Sequence, residues 1–265
     1  MADSLSKRQA AWQLARVRAR AVRARPGDIV SCAGFQVQIN DGPNYYTLYK
    51  TIFDQKIYHF DANRPDPRIL DCGSNIGLSI LYYKHIYPQS QVVGFEPDPL
   101  IWPYLQHNLS RNQLAGVQTL QAAVSPRSGT LTFASDGKYS GFLEAVGGEP
   151  APLDWTRYQV PCVRLGSYLT DPVDFLKLNI EGAEYEVLAD AGPQLRQVSE
   201  LVVEYHHLPG LPRTLHLILA LLHEHGFEYL INDLDAETNA AVEPPFRLRP
   251  DTGYFLLIYA RRINP

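Results

Sequence analysis

Arg68-Ile-Leu-Asp71-Cys-Gly73-Ser74-Asn75-Ile-Gly77, followed after a helical stretch by Val92-Val-Gly-Phe-Glu96-Pro97-Asp98, is the passage on which the fold turns. A short apolar run stops at an acid and a glycine-containing turn. A helical pattern follows, and a second apolar run ends on another acid. This is the pattern of half a nucleotide-binding βαβ unit. The glycines let the backbone approach a ligand, and a helix N-terminus begins there. Glu96, at the end of the second strand, is placed to accept both hydroxyls of a ribose.

The glycine spacing narrows the ligand. A dinucleotide fingerprint reads G-x-G-x-x-G, whereas the turn here is Gly73-x-x-x-Gly77, preceded by Asp71. A pyrophosphate needs bare backbone and is disfavoured by a nearby acid. A ligand with a cationic, amino-acid end accepts one. S-adenosylmethionine carries a ribose, an ammonium and a sulfonium and no phosphate, so Asp71 and Glu96 favour it over a nicotinamide dinucleotide.

Outward from this passage the pattern alternates. Strands are expected at 68–71, 92–95, 117–123, 175–180, 201–205 and 227–231, with helices over 75–87, 99–112, 215–225 and from the fourth strand to Ala191. Such alternation implies a parallel sheet with helices on both faces. The last strand, 254–259, follows a polar stretch at 232–251 with no helical period. The expectation is therefore an α/β, Rossmann-like, mostly parallel doubly wound sheet with an antiparallel last strand. Residues 67–265 form this domain. Residues 1–66 form a basic helix at 5–25 and a segment covering the cofactor or acceptor. The helix, with Arg16, Arg18, Arg20, Arg23 and Arg25, reads either as a clamp for an anionic acceptor or as a solvated face. Residues 45–60 read as helical; Tyr45, Tyr46 and Tyr49 either line the site or pack between helices.

In open α/β sheets the ligand lies beyond the carboxyl ends of the strands. The first strand end offers Asp71, Gly73, Ser74, Asn75 and Gly77, and the second offers Glu96 and Pro97. The third offers Gln121, Ala122 and Ala123, small enough to flank an adenine ring. Asn179 and Glu181 follow the fourth strand; Glu204 and His206 end the fifth. A methyl acceptor that is an alcohol must lose a proton, and Glu181, Glu204 and His206 are the candidate bases. His206 has the better intrinsic pKa, with Glu204 to orient it. A carboxylate acceptor needs no base. The His206-His207 pair lacks the further ligands a metal requires, so no metal is expected.

Four of these stretches, Asp71-Cys-Gly-Ser-Asn75-Ile-Gly77, Gly94-Phe-Glu96-Pro, Lys177-Leu-Asn179-Ile-Glu181-Gly-Ala-Glu184 and Glu204-Tyr-His206, occur in the order seen in the FkbM-type methyltransferases. The chain resembles this branch of the class I S-adenosylmethionine enzymes over roughly residues 66–262. The resemblance implies S-adenosylmethionine as cofactor and O-methylation of a small-molecule hydroxyl, on a sugar, a polyketide or a peptide natural product. Asn179 stands where the family pattern has Asp; it accepts hydrogen bonds but is neither a base nor a charge. N- or carboxyl-methylation is the alternative within the class. A nicotinamide-dependent oxidoreductase and a non-catalytic cofactor-binding scaffold are the alternatives outside it.

Composition narrows the partners. A formal net charge of −4 leaves no general footprint for nucleic acid. Cys32, Cys72 and Cys162 show neither disulfide nor metal spacing. No apolar run reaches membrane-spanning length, and no signal peptide is evident. A cytoplasmic enzyme acting on a small-molecule or peptide acceptor is expected, without nucleic acid or membrane, with a homodimer left open. Acceptor selectivity is expected in the loops at 136–155 and 232–251, through Tyr139, Phe142, Trp155 and Phe246.

Overall fold

The computed structural model describes residues 2–138, 140–144, 151–207, 212–233 and 253–263, with side chains from residue 12 onward. The chain opens with α1 (Ala2–Ala21) and a hairpin of β1 (Ile29–Cys32) and β2 (Phe35–Gln38). Then α2 (Gly42–Tyr49) runs into one π-helical turn, Lys50–Asp54. Asp41 caps α2, its carboxylate accepting the Asn44 N–H at 2.8 Å, and Pro43 fills a first-turn position whose N–H would be unpaired.

The alternating part follows: β3 (Arg68–Cys72), α3 (Leu78–Ile86), β4 (Gln91–Phe95), α4 (Trp102–Arg111) and β5 (Val117–Leu120). Next comes a small second sheet of β6 (Ala123–Val124), β7 (Gly129–Ser135), β8 (Gly141–Leu143) and β9 (Thr156–Val163). The main sheet resumes with β10 (Val173–Leu178), α5 (Glu184–Ala191), β11 (Val198–His207), α6 (Leu215–Glu224), β12 (Phe227–Asp233) and β13 (Tyr254–Arg262). Its seven strands lie in the order β12-β13-β11-β10-β3-β4-β5. β3, β4, β5, β10 and β11 run parallel, and β13 is antiparallel to both β11 and β12. The expected architecture, including the antiparallel last strand, is the one observed.

Strand alternation sorts the core into two layers. Ile69, Phe175 and Val202 face one side, packed with α3 and with Val37, Ile52, Ile57 and Phe60 of the first 66 residues. Leu70, Leu176, Leu201 and Val203 face the other, packed with Val187 and Leu188 of α5 and Ile218 and Leu222 of α6. Phe60 stacks on Phe175 with ring centroids 4.4 Å apart. The N-terminal segment therefore shares the core of the sheet it precedes.

Local expectations needed four corrections. The helix at 45–60 stops at the π turn, and Lys56 takes a left-handed φ of 58° that no α-helix continues through. Helix α3 begins at Leu78 and not at Asn75, because Asn75 (φ 48°) and Gly77 (φ 94°) are both left-handed. The strand at 117–123 is two: β5 stays in the main sheet, while β6 crosses into the second. The stretch at 136–155 contains β8.

Candidate active site

A cleft of about 800 Å³ opens at the carboxyl ends of the parallel strands. Its floor comes from the turn after β3, the ends of β4, β10 and β11, and residues 122–124. Its walls come from α2 and the residues after it, from β7 and β8, and from Phe255, Leu257 and Tyr259 on one face of β13.

The turn after β3 explains its glycines. Gly73 has φ 83°, and a Cβ there would lie 2.0 Å from the Asn179 carbonyl oxygen. No side chain fits that approach. The Gly73 and Ser74 N–H groups both donate to the Phe95 carbonyl at 2.9 Å, pinning the turn to β4. The Asn75 N–H then points at Glu96, donating to Oε2 at 2.7 Å, while Oε1 accepts from Asp98 N–H at 2.9 Å. Burial lifts the Glu96 carboxyl to about 7, against the opposing pull of those two N–H groups. Each oxygen keeps a lone pair for a hydroxyl.

Gly73, Ser74, Asn75, Glu96, Pro97, Ala122, Ala123 and Asn179 all line the cleft. Asp71, Gly77 and Gln121 do not, contrary to expectation. Asp71 is fully buried beneath the turn; its Oδ2 accepts from Ser79 Oγ at 2.6 Å and its Oδ1 lies 3.4 Å from Lys177 Nζ. It is committed to those internal partners. Gly77 faces α4, where a Cβ would meet Leu105 at 2.9 Å. Gln121 is exposed outside the cleft. Asn179 Oδ1 is buried in the wall and accepts no hydrogen bond among the described residues. Buried acceptors are normally paired, so this atom suits a ligand ammonium or hydroxyl. With the Glu96 carboxylate and the glycine cradle, it fits the donor set of S-adenosylmethionine.

The other half of the floor is ionic. After β10 the chain turns through Glu181 (φ 55°) and Gly182 (φ 103°), which brings the Glu181 carboxylate to the cleft. His206 Nε2 lies 3.7 Å from Glu181 Oε1, and its Nδ1 lies 3.1 Å from Glu184 Oε1. Burial pulls the imidazole pKa down, but Glu181, Glu184 and Glu204 outweigh it and hold the group up at about 10. Glu181 and Glu184 each face one ring nitrogen, an arrangement that favours the imidazolium and disfavours the expected role of His206 as a base. Glu181 is displaced upward by burial, with His206 the first opposing pull. Its side chain is 24% exposed, against 6% for His206.

Two residues of the cleft wall had no assigned role in the sequence. Tyr58, 3% exposed, donates its hydroxyl to Glu204; it follows no period, and nothing local marks it. Lys177 donates to the Gly73 carbonyl. A lysine inside the apolar run Phe175-Leu-Lys177-Leu178, with the parity of buried Phe175, was a legible signal. Of the three tyrosines considered, Tyr46 lines the cleft, while Tyr45 and Tyr49 are buried in the core. Above the floor, Asn40 and Asn44 both donate side-chain N–H groups to the Lys138 carbonyl, at 2.8 and 3.1 Å. This ties α2 to the second sheet. Phe142 packs on Trp155. Tyr139, Phe246 and most of the 232–251 stretch lie outside the described residues.

The strand order, the antiparallel β13 and the acid-ended cleft define a class I S-adenosylmethionine-dependent methyltransferase fold. The solved structure of M. jannaschii TYW2 in complex with AdoMet shares that fold, with a TM-score of 0.51 over 91% of this chain and 88% of that one, at 13% identity. Residues 71–229 match the Methyltransferase FkbM domain. Methyltransferase sdnD of Sordaria araneosa is 34% identical over 214 residues, 68% of this chain and 81% of that protein. The 31-O-demethyl-FK506 methyltransferase FkbM of Streptomyces tacrolimicus is 32% identical over 216 residues, 68% and 80% of the two chains. The chain belongs to the FkbM methyltransferase family; it is a methyltransferase, and S-adenosylmethionine is its cofactor.

Proposed function

We propose that the enzyme methylates a hydroxyl oxygen of a small molecule, with Glu181 as the base. One observation carries this reading. A carboxylate of raised pKa, reached from the cleft, is aimed by a buried imidazolium that a second carboxylate fixes from behind. An acceptor that arrives as a carboxylate would have no proton for it to take.

The cofactor supplies a methyl group already activated by its sulfonium. The chain supplies position and proton transfer. Glu96, Asn75 and Asn179 hold the ribose and amino-acid ends. Ala122 and Ala123, each 4% exposed, leave a flat wall for the adenine. Glu181 takes the hydroxyl proton as the oxygen attacks. A general base is most effective when its pKa approaches the working pH, and burial moves Glu181 in that direction. His206 keeps the carboxylate oriented, and Glu184 keeps His206 oriented. Residues 1–66 cover the acceptor and the cofactor through Tyr46, and β7 and β8 complete the acceptor wall. The name of the Streptomyces relative specifies methylation at an oxygen, which supports the same choice here.

The test is mass spectrometry of alcohols, amines and carboxylates incubated with enzyme and methyl-labelled cofactor. Label on oxygen of a hydroxyl compound, lost in Glu181→Gln, is the expected result. Label on nitrogen or on carboxyl compounds alone would overturn it.

A further inference from the structure

Lys177 is 2% exposed in the middle of the sheet, on the strand position paired with Asp71. A buried ammonium is costly unless its donors are engaged. Here the Gly73 carbonyl accepts one N–H, Asp71 Oδ1 lies 3.4 Å away as the ion-pair partner, and the Tyr58 ring centroid lies 5.4 Å away. The ring is itself anchored: its hydroxyl donates to Glu204, and burial, then Glu204, push that phenol upward, so it stays a donor. Tyr58 precedes the family-matched residues 71–229.

We propose that Lys177 is a positioning residue for the cofactor turn and that Tyr58, from the N-terminal segment, holds it in place. One peptide links Lys177 to the cofactor turn. Gly73 is left-handed, and its carbonyl direction decides where the following N–H groups point. The Asn75 N–H, two residues on, is the one that orients Glu96. Lys177 donates to the Gly73 carbonyl and pairs with Asp71. Tyr58 closes the remaining side with its ring face, where a cation is favoured over water-filled space. The charged groups bearing on Glu96 are Asp98 from its own strand end and Lys177 from β10. Lys177 therefore acts on the cofactor site by geometry and by charge. The proposal concerns cofactor binding alone and stands whatever the acceptor is.

The test uses the full chain and calorimetry with S-adenosylmethionine across pH 5–9, a window set by the ordinary carboxyl range and by Glu96. Tyr58→Phe keeps the ring, and cofactor affinity should stay within about twofold. Tyr58→Leu removes the ring, and affinity should fall roughly tenfold, the scale of a desolvated cation–π contact. Lys177→Met combined with Asp71→Asn removes both charges without stranding either; affinity should fall by at least about tenfold. In Lys177→Met alone, which removes the cation and keeps Asp71, the pH midpoint of binding should also move upward, because the ammonium no longer favours ionised Glu96. A structural effect alone would lower Tm and leave the midpoint in place. Equal affinities for Tyr58→Phe and Tyr58→Leu would overturn the role of Tyr58. A folded double variant with wild-type affinity, together with an unmoved midpoint in Lys177→Met, would overturn the role of Lys177. If the double variant does not fold, the two Tyr58 variants decide.

Discussion

Glu96 Oε2 accepts the backbone N–H of Asn75 at 2.7 Å, so the acid at the end of β4 and the turn at the end of β3 are one hydrogen-bonded unit. A cofactor held at the proposed ribose site would load both at once. Glu96→Ala should weaken S-adenosylmethionine binding by about 1.5–3 kcal/mol, the range for hydrogen bonds to a charged group. Calorimetry checks it; unchanged affinity would remove Glu96 from the ribose site.

The same carboxyl predicts a pH dependence. Its folded pKa is raised to about 7 from an ordinary 4.5. Hydroxyl donors favour the ionised form, so cofactor affinity should rise as pH passes through 7 and level off above. The stability sign is opposite. The folded state holds a proton that the unfolded state lacks between 4.5 and 7, so this contribution is present at low pH and lost as pH rises. In Glu96→Gln the affinity slope should vanish.

Glu181→Gln should lower turnover by about 10²–10⁴-fold, the usual yield of general base catalysis. Cofactor affinity should hardly change, because Glu181 stands beyond the ribose and glycine-turn contacts. A variant with normal turnover would show that no base is needed.

His206 carries a second, independent pH signature. Its folded pKa of about 10 exceeds the ordinary 6.5, so its stabilising contribution is whole below 6.5 and lost as pH rises through 10. Thermal unfolding should show Tm falling across that window. His206→Asn should flatten the decline and lower Tm near neutral pH, since Glu181 and Glu184 would then face each other without a cation.

Gly73→Ala tests the cradle. The added Cβ meets backbone oxygen at 2.0 Å in a left-handed conformation, so the turn must shift. Cofactor binding should be lost while far-UV circular dichroism is retained. Phe60→Ala tests the shared core. Losing the ring stacked on Phe175 should cost about 3–5 kcal/mol in urea unfolding, although Phe60 precedes the first strand of the main sheet.

The sheet was legible because its signals are local. Apolar runs such as Arg68-Ile-Leu and Val92-Val-Gly-Phe end on acids and glycines, and the polar run before Tyr254 excluded a crossover helix. The residues lining the turn side of the cleft were legible for the same reason, since Gly73, Ser74, Asn75, Glu96 and Pro97 follow their strands directly. Asp71 misled because sequence gives the end of a strand but not the side to which its acid turns; Lys177 in the neighbouring strand drew it inward. His206 misled for a related reason. Its ordinary pKa is a property of the residue, whereas Glu181 and Glu184 come from the turn and helix start after β10, and Glu204 from two positions earlier on its own strand. Tyr58 was invisible because its role depends wholly on partners 119 and 146 residues away, at Lys177 and Glu204.

The place of β13 reaches into how the chain is made. The strand at 254–262 lies between β11 and β12, not at an edge. While a ribosome is still synthesising those residues, β12 has no neighbour in the main sheet, and β11 carries a bare edge that ends in Glu204 and His206. The glycine turn and the parallel core strands can assemble earlier; the end of the cleft at Glu204 and His206 cannot. It is finished only when a segment made after both of its neighbours slides between them, so that edge stays exposed until then.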